Sequence, residues 1–583
     1  MFQCGLPNAP YQHNFELVLR GDHFTEDQPL PNGPNLGAKA LGVFGFADMH
    51  GIDVGQTWTK LSASSLAGSK KLKLVDAVTW QVGSEIVIST TSYELHETER
   101  RTIAAISGTT ITLTEALEFD HLGTEATLSD GRKFQMRAEV GILTRNVRIV
   151  GNDYREIDEQ QFGARVLIGE FTQEDITYTG YARFANVEFA RAGQEGWFDN
   201  FDPRYAIAYL DTGDNINAGG KAQAKESYVK KCGFNFNYNS AIGVFGSNNI
   251  AVEDNVIYKF INNGIFDEGE RNQITGNLVT KGESISRIKN QAKNPDFYGC
   301  INIKRAKETV LMNNVMAGCA QAGLYTIGNP SDIPYAMSNN EAHGAQHGIH
   351  LSSSGVSRVS SGTVIMKDFY SWMNYDYGVQ TETENNVEFS NIVAIDNGAG
   401  FLPFMWGPSA DSHKYEDKYF SFTDSLIVSA SDVYDCSKEV KPDVYKSSME
   451  NSRKWSGRDS WIDGSRRVHH TGIIWPIFQS KYRKVTLAWH KPLKGAAGTN
   501  PALRGLLNLS NVTFANFKQN CGKEDVVFRT NYGVDDVNWP INATNIKFLD
   551  TVGKIRFTWI FQPLERLTLQ TALILTVMDS RRQ

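Results

Sequence analysis

Carboxylates gather at two places along this chain. Asp199, Asp202, Asp211 and Asp214 lie close together with Arg204 among them, and Asp267, Glu268 and Glu270 follow. Hydrolysis of a glycosidic bond commonly uses two carboxyl groups flanking that bond, and a nearby cation can orient an acidic sugar. Trp197, Phe198, Phe201 and Tyr205 stand beside Asp199 and Asp202, and sugar faces pack on aromatic rings while carboxylates accept their hydroxyls. Trp197, Asp199, Asp202, Arg204, Tyr205, Asp211 and Asp214 are therefore the candidate carbohydrate-binding set. The competing assignment is ordinary turn chemistry for the acids and packing for the rings.

Histidines form a second constellation. His343, His347 and His350 have spacings found in zinc sites, but a His-x3-His pair shares one face only on a helix. Gly344 and Gly348 oppose a helix. The expectation is that His343 occupies a turn, that Gly348 to Leu351 is strand, and that His469 and His470 are loop. No metal, no cofactor and no catalytic residue is expected.

The elements that must position these groups are β. The chain has 583 residues, 41% hydrophobic and 21% charged, with 51 Gly and a net charge of -7. That apolar content suits large folded units, and the negative balance lacks the basic excess of nucleic-acid binders. Gly and the many Asn-rich steps serve tight turns between short strands. The first residues carry no basic stretch followed by an apolar core, and the Leu567 to Met578 run is too short to span a bilayer. Neither a signal peptide nor membrane insertion is expected of this stretch. Six cysteines are widely spaced without a CxxC pair, and no disulfide pattern follows from them. Asn508, Asn511 and Asn542 head Asn-x-Ser/Thr sequons, which suit a secreted chain.

A repeat sets the architecture. Ile242 and Ile265, Ile250 and Ile274, and Asn255-Val-Ile257 and Asn277-Leu-Val279 recur at nearly one interval. Asn314-Val-Met316, Gly323-Leu324, Gly348-Ile349, Gly378-Val379, Asn391-Ile-Val393, Gly400-Phe401 and Asn511-Val-Thr513 continue the pattern. A unit of ~22 to 25 residues cannot bury its own apolar face, so units must stack and pair their strand edges. The fold class is all-β: a right-handed parallel β-helix, with Asn stacked inside successive turns. Before it, Trp80 to Ile88 is expected as a strand, and Thr102–Ile106 and Thr109–Leu113 as a hairpin closed at Ser107-Gly108.

The segment Gly21-Asp-His23, Leu30-Pro-Asn-Gly33 and Asn35 to Gly45 resembles the later half of an eight-glycine domain. Met136 to Asn146 resembles the passage from that domain into the β-helix. Phe162-Gly-Ala-Arg165, Gln194 to Trp197, Asp202-Pro-Arg-Tyr205, Ala241 to Gly246 and Asn340 to Gly344 are similar to the fibrocystin-L family, and less so to the cell-migration-inducing hyaluronidases. The resemblance runs from about residue 15 to 556. It implies a partial eight-glycine domain over 1–130, β-helix repeats over 131–555 and an aberrant tail over 556–583. Back-translated with two nucleotides dropped, that tail resembles the family continuation, so a shifted reading frame is expected there.

Hyaluronan cleavage is the enzymatic alternative, and its motif can be tested. The hyaluronidase branch has Tyr-Pro-Ile-His-Phe-His, whereas this chain reads Tyr205-Ala-Ile-Ala208-Tyr-Leu210. Neither Ala208 nor Leu210 can move a proton or hold a metal. The resemblance implies a non-catalytic extracellular recognition or scaffold segment on the outer face of the plasma membrane, with extracellular proteins or glycans as partners. A polysaccharide hydrolase and a gene fragment without independent function are the alternatives.

Overall fold

The computed structural model describes residues 2–557 apart from 28, 30–34, 196–201, 215–225, 284–297, 328–332, 353–361, 384, 406–418, 439–469, 475–505, 531–540 and 554. Three largely parallel sheets of 8, 16 and 14 strands run along the molecule; successive coils add a strand to each as far as Ala336–Ser338, where the first sheet ends, and later coils extend the other two. One coil is Ala251–Glu253, Val256–Ile261 and Ile265–Glu268; the next brings Gln273–Thr275, Leu278–Glu283 and Gly299–Ile303. Parallel strands joined by such crossovers wind right-handed. The expected β-helix is the observed architecture.

Repeat spacing located most of the register. Ile242 pairs with Ile265, Val256 with Leu278, and Leu324, Ile349, Val379 and Phe401 form one continuous inward column. Ile274, however, pairs with Val252 rather than Ile250. Residues two apart share a strand face, so apolar spacing alone cannot choose between those two.

Buried asparagines do stack. Asn255 Nδ2 donates to Asn277 Oδ1, Asn277 Nδ2 to Asn314 Oδ1, and Asn314 Nδ2 to Asn340 Oδ1, at 2.9, 2.9 and 3.0 Å. In the next coil Phe369 takes the position and the ladder stops. Just outside it, one residue per coil turns the corner with positive φ, including Asp254, Asn313, Asn339, Asp368, Asn391 and Asn511. Disulfides join Cys300 to Cys319 and Cys436 to Cys521. Cys4 and Cys232 are buried thiols.

The sheets divide elsewhere than at residue 130. Phe2–Cys4, Phe15–Leu19, Ala40–Val43 and Phe46–His50 already pair within the three solenoid sheets. Phe15 meets Val147, Ala40 meets Arg165 and Phe46 meets Tyr181. Between them the chain leaves the solenoid and closes a barrel from Trp58–Ala63, Lys71–Leu74, Glu85–Ile88, Glu99–Ser107, Thr110–Leu113 and Glu139–Ile142. Leu61, Leu72, Ile86, Ile103, Ile111 and Val140 fill it. The Ser107-Gly108 hairpin is present, whereas the strand expected from Trp80 begins only at Glu85, because the chain first turns at Gln81–Ser84, where Ser84 N–H donates to Gln81 O and Gly83 has φ 89°. Of the tail expected over 556–583, Arg556 and Phe557 complete the strand Ile555–Phe557, which pairs with Val526–Thr530, and residues 558–583 lie outside the described residues.

Candidate functional site

The barrel docks on the solenoid through side chains that alternate outward from its strands. In Trp58–Ala63, Thr59 and Leu61 are buried, while Trp58 and Lys60 point toward the coils. Trp58 Nε1 donates to Gly276 O at 2.7 Å. Lys60 Nζ lies 3.2 Å from Glu139 of the barrel and 2.6 Å from Glu341 of the solenoid. Glu139 also accepts from Ser89 Oγ at 2.6 Å and meets His343 Nε2 at 3.0 Å. Trp372 closes the cluster: its indole N–H donates to Glu341 at 2.7 Å and its ring stacks on His343 at 4.1 Å.

Electrostatics favour the charged forms of Glu139 and Lys60. Burial by itself pushes the Glu139 carboxyl up, but His343 and Lys60 outweigh it and hold it at about 2. Burial likewise disfavours the Lys60 ammonium, and the two glutamates more than reverse that. Glu139, Glu341 and His343 bring their ligand atoms within 4.8 Å of one another, the donor set of a metal site. Lys60 Nζ sits between the two carboxylates and supplies the positive charge that an ion would bring. The arrangement is an ion-pair clamp between two structural units.

Glycines permit the close approach. Gly318 and Gly344 adopt φ of 68° and 61°, and a Cβ on Gly344 would stand 2.8 Å from Thr90 Cγ2 and 2.9 Å from Ser92 O of the barrel. Beside the clamp a cleft of about 1010 Å³ opens between barrel and solenoid. Gln56 and Trp58 face it from the barrel, Gln135 from the strand Lys133–Arg137 that pairs with Gly123–Thr127 outside the barrel, and Asp254, Asn313 and Asn339 from the solenoid corner.

His343 is not a turn residue. It ends the strand Asn340–His343 in the second sheet and is fully buried, because its imidazole replaces solvent with Glu139. His347 and His350 belong to a different sheet, in His347–Ser352. Their Nδ1 atoms are 3.1 Å apart, and His347 Nε2 lies 3.7 Å from Asp376. Burial lowers the His347 pKa, with Asp376 opposing that shift. His470 is also buried, with its backbone N–H on Asp525 at 3.0 Å; His469 lies outside the described residues.

The carbohydrate set named from sequence is dispersed among separate partners. Trp197, Phe198, Asp199 and Phe201 lie outside the described residues. Asp202 is held by Arg165 at 2.6 Å and Arg204 at 3.2 Å, with burial opposing and both guanidiniums favouring a lowered pKa. Tyr205 is buried against Phe245 and Phe266. Asp211 is exposed at φ 50°, and Asp214 pairs with Arg271 at 3.0 Å and with Asn249. Asp267 turns inward, where Thr309, Asn272 and the Gly269 N–H satisfy it while burial raises its pKa. Glu268 and Glu270 instead pair with Arg305 and with Lys307 and Arg271. Ala208 and Leu210 lie in an apolar patch on the outer face of the third sheet with Leu36, Leu167, Phe245 and Phe266.

Sequence reasoning passed over Lys60, Glu139 and Glu341. The available signal was a lysine and a glutamate at alternating positions of strands whose other face is apolar, which reads equally well as a solvated surface.

A parallel β-helix carrying a docked barrel defines the class of protein. The G8 domain model matches residues 1–62 and the CEMIP beta-helix model residues 162–395. Human fibrocystin-L (Homo sapiens) is 38% identical over 557 residues, covering 94% of this chain and 13% of that protein. Fibrocystin of Canis lupus familiaris is 28% identical, covering 92% of this chain and 12% of that protein. The crystal structure of a periplasmic alginate epimerase is similar at 10% identity with a TM-score of 0.29, covering 69% of this chain and 68% of that one, too low to bear on chemistry. Over 94% and 92% of its length the chain is thus similar to fibrocystin-L and fibrocystin, and it spans only 13% and 12% of those two proteins. Among the described residues no helix is long and apolar enough to cross a membrane.

Proposed function

We propose that this chain is a non-catalytic recognition segment on the extracellular side of a fibrocystin-L-like protein. The observation that carries this is the apolar patch around Ala208 and Leu210. The hyaluronidase branch has histidines at those positions, and Ala208 and Leu210 can neither transfer a proton nor bind a metal. The cleft at the barrel junction supplies the concave surface that recognition needs. Two disulfides support an oxidising, extracellular setting.

The test is incubation of the protein with size-defined hyaluronan and a panel of glycans and extracellular proteins, reading polymer length and binding together. Hyaluronan of unchanged length together with saturable binding of a member of the panel is expected; shortened polymer would defeat the proposal. A hydrolase reading has one observation in its favour, the buried Asp376–His347–His350 chain. It requires that any shortening disappear in His350→Ala.

A further inference from the structure

The cleft has an unusual construction. Its solenoid wall is the column of corner residues Lys231, Asp254, Gly276, Asn313 and Asn339, with φ of 53°, 53°, 68°, 57° and 51°. The shared left-handed conformation aims the side chains of Lys231, Asp254, Asn313 and Asn339 outward, on rungs spaced by about 4.8 Å. Asn313 and Asn339 are exposed, and Asn339 Nδ2 donates to Asn313 Oδ1 at 2.8 Å, leaving both amides with further donor and acceptor capacity. Across the cleft the barrel presents the exposed amide of Gln56 and the half-buried ring of Trp58, and the hairpin of Gly123–Thr127 and Lys133–Arg137 beside it presents the exposed amide of Gln135 and the half-buried ring of Phe134.

Charge narrows the occupant. Lysines 60, 133 and 231 line the cleft with Asp76, Asp254 and Glu341, so the signs balance. Lys60 is engaged by both glutamates, Lys231 by Asp53 at 3.0 Å and Lys133 by Glu125 at 3.8 Å. Asp76 accepts from Gln56 and Thr59. An acidic sugar would have to compete with a carboxylate for each of these lysines, most weakly at the exposed Lys133, and would gain little for the hydration it loses. A neutral hydroxylated chain would find amides that both donate and accept, with rings for its apolar faces.

We infer that this cleft binds a neutral glycan chain lying along the corner column, an inference that rests on the recognition reading above. The cleft's size is at the upper end for ligand sites, which suits several sugar units rather than one.

The experiment uses the whole chain on an array of neutral glycans, uronate-containing and sulfated glycans, and extracellular-matrix proteins, followed by calorimetric titration of the ligands found. The variant is Asn313→Gly, Asn339→Gly and Gln135→Ala together; glycine keeps the positive φ, so the corner backbone is retained. Asn391→Gly is the control, a corner residue of the same kind outside the cleft, and melting curves show that both variants are folded. Neutral glycans are expected to bind, with affinity falling at least about tenfold in the cleft variant, as loss of two or more hydrogen bonds implies, and unchanged in the control. Charged glycans or proteins that bind in place of neutral glycans and weaken in the variant would overturn the neutral-glycan inference while leaving recognition standing. Neutral glycans held equally by parent and variant would remove the cleft as their site. No binding in any class would defeat both readings.

Discussion

Glu139 of the barrel and His343 of the solenoid meet with carboxylate and imidazole 3.0 Å apart, and neither exposes any side-chain surface. They are separated by 204 positions in sequence, so their contact exists only if the barrel is docked. Lys60 and Glu341 form the second bond across the same seam. Breaking one member of such a group leaves buried charge uncompensated, which costs far more than the pair contributes over an apolar replacement. The seam is thus an all-or-none device: the two units share one orientation, and the cleft keeps its width.

Glu139→Gln is expected to destabilise the protein by on the order of 3 kcal/mol at neutral pH. The folded carboxyl is held at about 2 against an ordinary 4.5, so below 4.5 the unfolded chain binds the extra proton first. The Glu139 contribution is therefore complete above about pH 4.5 and is lost as pH falls toward 2. Urea midpoints at pH 7 and pH 3 check this: the gap between parent and variant at pH 7 should narrow at pH 3 without closing. An equal gap at both values would contradict it.

Asn277→Ala should cost about 3–5 kcal/mol, because several buried groups lose partners worth about 1–3 kcal/mol each. The side chain accepts from Asn255 N and Nδ2 and donates to Val252 O and Asn314 Oδ1. Gln273→Ala, on an exposed position of the same coil, should change stability by less than about 0.5 kcal/mol. Thermal melts of the two variants side by side decide whether the ladder holds the coils together.

The solenoid was legible in the sequence because its information is periodic. Gly323-Leu324, Gly348-Ile349, Gly378-Val379 and Gly400-Phe401 mark one inward column, and Asn255, Asn277 and Asn314 one interior corner. The first coil was not legible: Phe15 pairs with Val147 only after the intervening chain has closed a barrel, and periodicity cannot cross an insertion. The clamp was hidden for a related reason. Lys60 and Glu139 face outward from their own barrel, and whether that face meets water or solenoid is a tertiary fact. The same limit applies to Ala208 and Leu210: their types excluded proton transfer, but only packing placed them among Phe245 and Phe266.

Asp396 should make stability fall as pH rises. Burial, with Asp432 and Asp525 adding to it and the Ser431 hydrogen bonds opposing, lifts its carboxyl to about 7 from 3.8. Between those values the folded state holds the proton that the unfolded chain releases, so stability drops through that window by on the order of 4 kcal/mol. Asp396→Asn stays neutral and can still accept from Ser431 N, which lies 2.6 Å from Asp396 Oδ1. Its melting temperature should exceed that of the parent at pH 8 and not at pH 4.

Gly344→Ala tests the docking itself. The added methyl would meet Thr90 Cγ2 at 2.8 Å and Ser92 O at 2.9 Å, on a residue whose φ of 61° already disfavours a side chain. The segment carrying Thr90 and Ser92 is the barrel's footing on the solenoid, and Tyr93 beside it donates to Asp396 O at 2.7 Å. The solenoid can keep its own register through the three sheets while that footing lifts. The expected outcome is faster hydrogen exchange at residues 89–98 and at Lys60 and Glu139, with exchange in Val256–Ile261 and Leu278–Glu283 unchanged. A loss of about 1–3 kcal/mol is expected from overpacking. Uniform acceleration through both units would instead mean that barrel and solenoid unfold as one cooperative body, and the clamp could then not be treated as a separable seam.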